Sequence, residues 1–319
     1  MNYTIRHVTK FTYEVPISES IMEARMQPRT ESAQRCIRFG LSTTPASHVR
    51  MYQDHAGNTV HHFSIPGPHS QLTVTAEGLV ECAAPSDTPA RLDRGAWGRL
   101  DALTASGEFW DALTASPFTH RTPMLDRLAA EIGLVRGDDP LGTVRQLMTE
   151  IYNRFEYSPN ATRVDSPIDD ALEARRGVCQ DFAHIMIALV RQLGVPCRYV
   201  SGYMCRQADS AIRSTDGATH AWIEAWFPTL GWVGLDPTNN LAAGDRHIRV
   251  AVGRDYADVP PTRGVFKGSS AVRSELAVAV RIGSLNGSVG DDAIPFVPWM
   301  SREAASPLGD WEASQQQQQ

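Results

Sequence analysis

Short stretches in which hydrophobic and polar residues alternate make up most of the first quarter of the chain. Alternation with a period of two is typical of β-strands that have one buried face. Turn-forming residues lie between the stretches, as in residues 54–58 (DHAGN). We therefore predict a small antiparallel β domain over residues 1–85, arranged as a sandwich. The alternating stretches are residues 4–8, 35–39, 59–63 and 72–76.

The middle of the chain changes to a helical pattern, in which hydrophobic residues recur every three or four positions. After Pro140 this pattern predicts a helix that ends near Arg154, and a second helix is expected from about Ser166 to Gly177. A third helix follows at once and ends at Gly194. The hydrophobic positions of the first and third helices are Leu141, Val144, Leu147, Met148 and Ile151, then Phe182, Ile185, Met186, Leu189, Val190 and Leu193.

After the third helix the period returns to two, which predicts strands over residues 197–204, 219–227 and 232–235. A run of helices followed by a run of strands favours an α+β core. A further strand is predicted at residues 276–282. The glutamine-rich end, Gln315–Gln319, is expected to be disordered.

These patterns divide the chain into four regions. The β domain comes first, and the α+β core carries the candidate chemistry. The regions are residues 1–85 (β domain), 86–140 (linker and helical segment), 141–260 (core) and 261–319 (C-terminal strand and tail).

The charge balance argues against a nucleic-acid partner. The 319 residues include 30 basic and 36 acidic side chains, a formal net charge of −6, and no block rich in Lys and Arg. The start of the chain lacks the features of a signal peptide, and no apolar run is long enough to span a membrane. We therefore expect a soluble, cytoplasmic protein with no membrane partner. The sequence leaves the oligomeric state open.

Five cysteines in a chain of this length do not suggest a disulfide framework, so the question is which thiol is reactive. Cys179 follows Gly177 in the first turn of the third helix, where unpaired N–H groups and the helix dipole favour a thiolate. The paired short spacings of zinc sites are absent, so we expect no metal and no cofactor. We interpret the other cysteines as small buried hydrophobic residues: Cys36, Cys82, Cys197 and Cys205.

A histidine and an aspartate stand at the ends of two predicted strands. His220 begins one strand and Asp236 ends the next, and in an antiparallel hairpin these two ends are neighbours. We predict that His220 accepts the proton of the Cys179 thiol while Asp236 sets its tautomer. The Cys179 amide is the expected oxyanion donor. Trp222, close to the histidine, is expected to form a wall of the substrate cleft.

Five blocks of sequence around these residues resemble the core of bacterial transglutaminase-like proteins. The resemblance covers roughly residues 141–238. It implies a papain-like core, with helices packed on an antiparallel sheet, preceded by a β-rich N-terminal domain. It also implies a catalytic triad of Cys179, His220 and Asp236. The blocks are residues 176–184 (RGVCQDFAH), 194–203 (GVPCRYVSGY), 220–222 (HAW), 231–232 (GW) and 236–238 (DPT).

The chain departs from the animal transglutaminases in one respect. Those enzymes bring a tryptophan upstream of the cysteine to the oxyanion, whereas this chain has no tryptophan between Trp110 and Trp222. Tyr157 is our candidate for that place. No loop has the spacing of an EF-hand, so calcium activation is not expected.

An acyl group carried by Cys179 can pass to water or to an amine, and the sequence does not choose between them. We favour hydrolysis of a peptide or isopeptide amide, as in a cysteine protease or amidase, with a peptide or protein as substrate. Three alternatives stay open: transamidation of protein glutamine, acyl transfer from a coenzyme A thioester, and a non-catalytic scaffold that retains the fold.

Overall fold

The protein, seen in a computed structural model, combines a large antiparallel sheet with a group of helices and a second antiparallel sheet. The predicted fold class, a β domain joined to an α+β core, is confirmed. The glutamine-rich tail falls outside the described residues, and no helix within those residues is long and apolar enough to cross a membrane. The structure describes residues 1–31, 33–84, 88–206, 212–214, 217–268, 273–284 and 297–298.

Four strands from the first 82 residues form most of the large sheet: β1 (Asn2–Ala24), β2 (Gln34–Thr44), β3 (Arg50–Gln53) and β4 (Thr59–Cys82). The long strands β1 and β4 pair antiparallel, with register shifts between Thr12 and Glu19. One hydrophobic core takes side chains from β4 on both sides of this irregularity, such as Phe63 and Leu72. The two halves of this one continuous sheet therefore pack around a shared hydrophobic core, as the two layers of the predicted sandwich would.

Six helices and a short parallel strand pair follow in the described residues. The helices are α1 (Ala96–Thr104), α2 (Trp110–Leu113), α3 (Pro123–Glu131), α4 (Pro140–Arg154), α5 (Ile168–Ala174) and α6 (Cys179–Gln192), and the strands are β5 (Glu156–Tyr157) and β6 (Arg176–Gly177). The three predicted helices are confirmed as α4, α5 and α6. Helix α4 begins as expected, because Asp139 accepts a hydrogen bond from the Gly142 amide and Pro140 occupies the first turn.

The second sheet has the strand order β10-β9-β8-β7-β11. Helix α6 packs on β7 and β8, and its residues from Cys179 to Arg191 are all buried. A helix that is buried all round stands at the centre of a core, which leaves its first turn little freedom to move. The elements are β7 (Cys197–Met204), β8 (His220–Phe227), β9 (Gly231–Asp236), β10 (Leu241–Ala242) and β11 (His247–Gly253), followed by a short 3-10 helix (Tyr256–Asp258).

The end of the described chain returns to the first sheet through β12 (Thr262–Lys267), β13 (Ser274–Ser284) and β14 (Val297–Pro298). Both β12 and β13 pair antiparallel with β1, and β14 pairs with β13. The predicted late strand is therefore confirmed as part of β13. Its partner could not be read from the local pattern, since the first strand of the chain lies far away in the sequence.

Polar contacts join the β domain to the second sheet at β11. The Asn58 side chain exchanges hydrogen bonds with the backbone of Val252, 2.9 and 2.8 Å. The Gln34 side chain does the same with the backbone of Arg249, 2.8 Å in each direction. These paired contacts hold β11 in place beside β7, and β11 supplies a residue of the site described next.

Candidate active site

Cys179 is the first residue of α6, and the turn that leads into it is tightly fixed. Tyr157 in β5 pairs with Gly177 in β6, which anchors the backbone two residues before the thiol. The Asp181 carboxylate accepts a hydrogen bond from the Val178 amide, 2.8 Å. A side chain added at Gly177 would lie 2.6 Å from the same carboxylate, so this position requires glycine. The sulfur is thus carried on a rigid helix N-terminus.

Asp181 is a buried carboxyl group two residues after the candidate nucleophile. Burial raises the pKa of Asp181 to about 6, while hydrogen bonds from the Thr162 hydroxyl and the Val178 amide act in the opposite direction. At neutral pH the group is therefore ionised, and it holds the Val178 amide with a charge-assisted hydrogen bond.

His220, the first residue of β8, lies against Asp236, the last residue of β9. Its Nε2 donates a hydrogen bond to Oδ2 of Asp236, 2.8 Å. No group in the described part of the chain completes a hydrogen bond to Nδ1, and the Cys179 side chain is close enough to affect the ring. Burial lowers the pKa of His220, but the charge and hydrogen bond of Asp236, together with Cys179, outweigh burial and raise the pKa to about 10. The structure therefore brings together the three residues that the sequence nominated as a triad.

Asp236 has no exposed surface and accepts five hydrogen bonds. Its Oδ1 accepts from the backbone amides of Thr238 and Asn239, 2.9 and 3.2 Å. Its Oδ2 accepts from the Asn239 side chain and from His220, 2.8 Å each. Burial favours the neutral acid, yet the charge and hydrogen bond of His220, together with the hydrogen bond of a second histidine, hold the pKa of Asp236 well below its usual value. The site therefore contains a permanent carboxylate in a fixed orientation.

The second histidine on Asp236 is His247, which the sequence did not suggest. Its Nε2 lies 3.2 Å from Oδ2, the oxygen that also binds His220. The Gly244 amide donates to Nδ1 of His247, 3.2 Å, so the ring carries its proton on Nε2 and donates it to the carboxylate. Burial lowers the pKa of His247, and Asp236 only partly offsets this, so the ring is neutral at neutral pH. Only its place at the start of an alternating stretch could have drawn attention to it.

His220, Asp236 and His247 also form the one group in the described ranges whose ligand atoms, all within 4.8 Å of one another, lie close enough for a metal ion. Two imidazoles and a carboxylate are a donor set that zinc or iron can use. The hydrogen-bond pattern accounts for these distances without a cation, because Nε2 of His247 carries a proton directed at the carboxylate. The residues therefore fit a proton-bearing network better than a metal centre.

The two other residues nominated for the site lie near different members of the triad, Trp222 beside His220 and Tyr157 beside the turn that carries Cys179. Trp222 has no exposed surface and stacks on His220, with ring centroids 6.0 Å apart. It thus supports the imidazole from inside the protein and presents no surface to an open cleft. Tyr157 is half-buried, and its ring lies 6.5 Å from that of Phe182 in α6. It borders the turn that carries Cys179.

The sulfur lies in a nearly closed environment. Only 5% of Cys179 and 4% of His220 are exposed, where the sequence led us to expect an open crevice. A cavity of about 490 Å³ lies on the Tyr157 side, and Cys179 is not in its lining. Access to the thiol is therefore narrow in this conformation. The cavity is lined by Asn153, Arg154, Phe155, Glu156, Tyr157, Arg175 and Arg213.

The fold and the site together define a class. A thiol at the start of a central buried helix, with a histidine–aspartate pair on the adjacent antiparallel sheet, is the arrangement of the transglutaminase-like fold. Residues 127–237 match the model of the transglutaminase-like superfamily, and residues 3–81 match that of the bacterial transglutaminase-like N-terminal region. The chain belongs to the transglutaminase-like superfamily, as its sequence blocks indicated.

Similar proteins occur in mycobacteria and in other bacteria. An uncharacterized protein of Mycobacterium leprae is 35% identical over 277 residues, which cover 86% of this chain and 96% of the relative. An uncharacterized protein of Mycobacterium tuberculosis is 34% identical, with 83% of this chain and 87% of the relative covered. A protein-glutamine gamma-glutamyltransferase of Pseudomonas aeruginosa is 31% identical over 131 residues, 39% of this chain and 19% of the relative.

One solved structure has the same fold over nearly the whole chain. It is a proposed cysteine protease from Cytophaga hutchinsonii, with a TM-score of 0.72 and 20% identity. The match covers 95% of this chain and 94% of that one. The combination of β domain and core is therefore shared by both proteins.

Proposed function

We propose that this protein catalyses cysteine-dependent acyl transfer from peptide or isopeptide amides, and that hydrolysis is its main reaction. One observation carries the proposal. His220 is bonded through Nε2 to Asp236, while its Nδ1 has no hydrogen-bond partner in the described chain and the Cys179 side chain is its neighbour. This leaves Nδ1 available to hold the proton of the thiol.

Because the pKa of His220 is raised to about 10, the thiol proton lies on Nδ1 of His220 before the substrate reacts, and the site starts the reaction as a thiolate and an imidazolium. The sulfur then attacks the amide carbonyl, and the Cys179 amide donates a hydrogen bond to the oxygen that becomes negative. Tyr157 is the candidate for a second donor. The tetrahedral intermediate collapses when His220 returns its proton to the leaving amine, so that a thioester remains on Cys179.

The thioester is released by a second nucleophile. His220 takes a proton from water, the resulting hydroxide attacks the thioester carbonyl, and the thiol leaves with the proton that returns from His220. The products are a carboxylic acid and the free enzyme. Asp236 keeps its charge throughout and steadies the imidazolium in both halves of the reaction.

Transamidation is the second candidate, because the site is nearly closed. With only 5% of Cys179 exposed, bulk water has poor access, and a dry site favours an amine that binds specifically. The name of the Pseudomonas relative agrees with this candidate, whereas the description of the Cytophaga structure agrees with hydrolysis. Hydrolysis stays our first choice. We also propose a peptide or protein substrate and a cytoplasmic location.

Selective alkylation tests the reactive thiol. A limiting dose of iodoacetamide at pH 6 is followed by mass spectrometry of each cysteine peptide, in the wild-type protein and in His220→Ala. If exposure alone set the rate, the partly exposed Cys36 and Cys205 would react before Cys179. We expect Cys179 to be the first cysteine alkylated in the wild type but not in the variant. Labelling in the order of exposure, unchanged by His220→Ala, would contradict the proposal.

Product analysis then separates the reactions. A peptide library is incubated with the protein, with and without a primary amine, and Cys179→Ala is the control. Fragments that carry a new carboxyl group, whatever the amine concentration, indicate hydrolysis, and amine adducts indicate transamidation. If neither forms although Cys179 is selectively alkylated, coenzyme A thioesters are tested as donors. A site that also fails to be acylated by them is a scaffold.

A further inference from the structure

We infer that His247 is a positioning residue of this site, a second histidine that donates its Nε2–H to Oδ2 of Asp236 and thereby controls how firmly His220 holds its proton. The catalytic role of His247 rests on the proposed function, whereas its hydrogen bond to Asp236 does not. The site is then a chain of four groups: thiol, imidazole, carboxylate and a second imidazole.

The geometry places both histidines on the same oxygen. Nε2 of His220 lies 2.8 Å and Nε2 of His247 lies 3.2 Å from Oδ2 of Asp236. The two rings come from different strands, since His220 begins β8 and His247 begins β11 at the far side of β7. Their centroids are 6.1 Å apart. The carboxylate therefore lies between an imidazole that faces the thiol and one that does not.

The surroundings of His247 fix its tautomer and its orientation. Gly244 donates its amide to Nδ1, and the edge of Trp222 packs against the ring, with centroids 5.1 Å apart. Trp222 also stacks on His220, so one indole holds both imidazoles in place. The ionisable groups that face His247 are His220 from β8, Asp236 from β9 and Arg246 from the chain before β11. Of these, only Asp236 accepts a hydrogen bond from it.

The consequence for His220 follows from competition for one oxygen. Each donor on Oδ2 draws electron density from the carboxylate, so each added hydrogen bond weakens the attraction of Asp236 for the His220 proton. A group that must both accept the thiol proton and give it to the leaving amine needs an intermediate proton affinity. His247 supplies this moderation, and without it His220 keeps its proton to higher pH and becomes a poorer acid.

Two substitutions separate the hydrogen bond from simple packing. His247→Gln keeps an N–H donor near the place of Nε2, whereas His247→Leu keeps bulk and removes the donor. His7→Leu is the matched control, because His7 is also a fully buried histidine and, among the described residues, bonds only to the hydroxyls of Tyr203 and Thr9. Unfolding curves show which variants are folded before any other comparison is made.

The main readout is the titration of the His220 ring, followed by NMR of the imidazole nitrogens, because it does not require turnover. We expect the His220 titration to move to higher pH in His247→Leu, to return to the wild-type position in His247→Gln, and to stay there in His7→Leu. Turnover should fall about 10-fold to 100-fold in His247→Leu, as is typical when a group that orients a catalytic residue is removed. In His247→Gln it should stay within about threefold.

The outcomes distinguish this inference from the proposed function. An unchanged or lowered His220 titration in folded His247→Leu overturns the inference, even if Cys179 is the selectively alkylated thiol. A Gln variant as impaired as the Leu variant also overturns it. If the titration moves as expected but alkylation of Cys179 is not selective, the role of His247 on Asp236 stands and the proposed function fails.

Discussion

Two buried histidines of this protein differ in charge at neutral pH, one positive and one neutral, although neither has appreciable exposed surface. His220, 4% exposed, has its pKa raised to about 10, because Asp236 and Cys179 outweigh the effect of burial. His7, with 0% exposed, bonds to the hydroxyls of Tyr203 and Thr9 and to no other group in the part of the chain that the structure describes, and burial lowers its pKa to about 3. The groups in contact with a buried imidazole therefore decide its charge, and burial without a charged partner leaves the ring neutral.

His184 shows that a nearby carboxylate is not sufficient. Burial lowers the pKa of His184 to about 4, although the charge of Asp255 acts to raise it. The oxygens of Asp255 accept hydrogen bonds from the amides of Phe118 and Ala257, and Nε2 of His184 accepts from the Tyr256 amide. Without a direct hydrogen bond to a carboxylate, this ring stays neutral. Even a direct hydrogen bond is not sufficient, since His247 bonds to Asp236 and stays neutral. The ring of His220 differs from both because it also lies beside Cys179.

The largest effect is expected from Asp236→Asn. Turnover should fall by ~10⁴-fold and Cys179 should no longer be alkylated selectively, because Asp236 no longer fixes the tautomer and charge of His220. The five hydrogen bonds that Asp236 accepts also predict a loss of stability. An amide NH₂ would face N–H donors, at a cost of ~3 kcal/mol in the free energy of unfolding. Urea unfolding and alkylation rates measure the two effects, and retention of wild-type reactivity would contradict the role of Asp236.

The next effect is the pH dependence of stability that His220 contributes. Because its folded pKa of about 10 lies above the unfolded value of 6.5, this contribution is complete below pH 6.5 and is lost as pH rises towards 10. The difference in unfolding free energy between the wild type and His220→Gln should therefore shrink by roughly 2–4 kcal/mol across that range. Denaturant unfolding at several pH values is the measurement. A difference that stays constant with pH would mean that His220 is neutral in the folded protein.

A smaller effect of the opposite sign is expected for His7. The folded pKa of His7 lies below the unfolded value, so between these two pKa values the unfolded chain binds a proton and the folded protein does not. Acid therefore destabilises the folded wild type through His7. His7→Leu should cost about 1–2 kcal/mol at pH 8, from the lost hydrogen bonds to Tyr203 and Thr9. That cost should fall at pH 5. Thermal or urea unfolding at the two pH values tests this, and a cost that increases in acid would contradict the assignment.

The smallest effect is expected for Asp255→Asn. Asp255 is a second buried aspartate and serves as the control for Asp236. The amide oxygen can still accept one of the two backbone hydrogen bonds, so the stability cost should be about 1 kcal/mol. His184 should stay neutral at pH 7, and the alkylation rate of Cys179 should stay within about twofold of wild type. Imidazole NMR and the alkylation assay give the result. A loss of reactivity comparable to that of Asp236→Asn would remove the contrast between the two carboxylates.

The sequence by itself determined the kinds of element and the three residues nominated for the triad. Periodicity marked helices α4 to α6, the strands β7 to β9 and the late strand β13, because the pattern of burial along one helix or strand depends on a few neighbouring residues. Cys179, His220 and Asp236 could be nominated because each stands at the end of an element. The turn between β8 and β9 is short enough to define which ends meet.

The tertiary structure alone decided which distant elements meet. The pairing of β12 and β13 with β1, and the placing of β11 beside β7, join segments whose local patterns contain no record of their partners. The second histidine on Asp236 follows from that placing, and so do the complete burial of Trp222 and the small exposed area of Cys179. Burial and hydrogen bonding are properties of surfaces brought together by folding, so local sequence rules that act over a few residues cannot supply them.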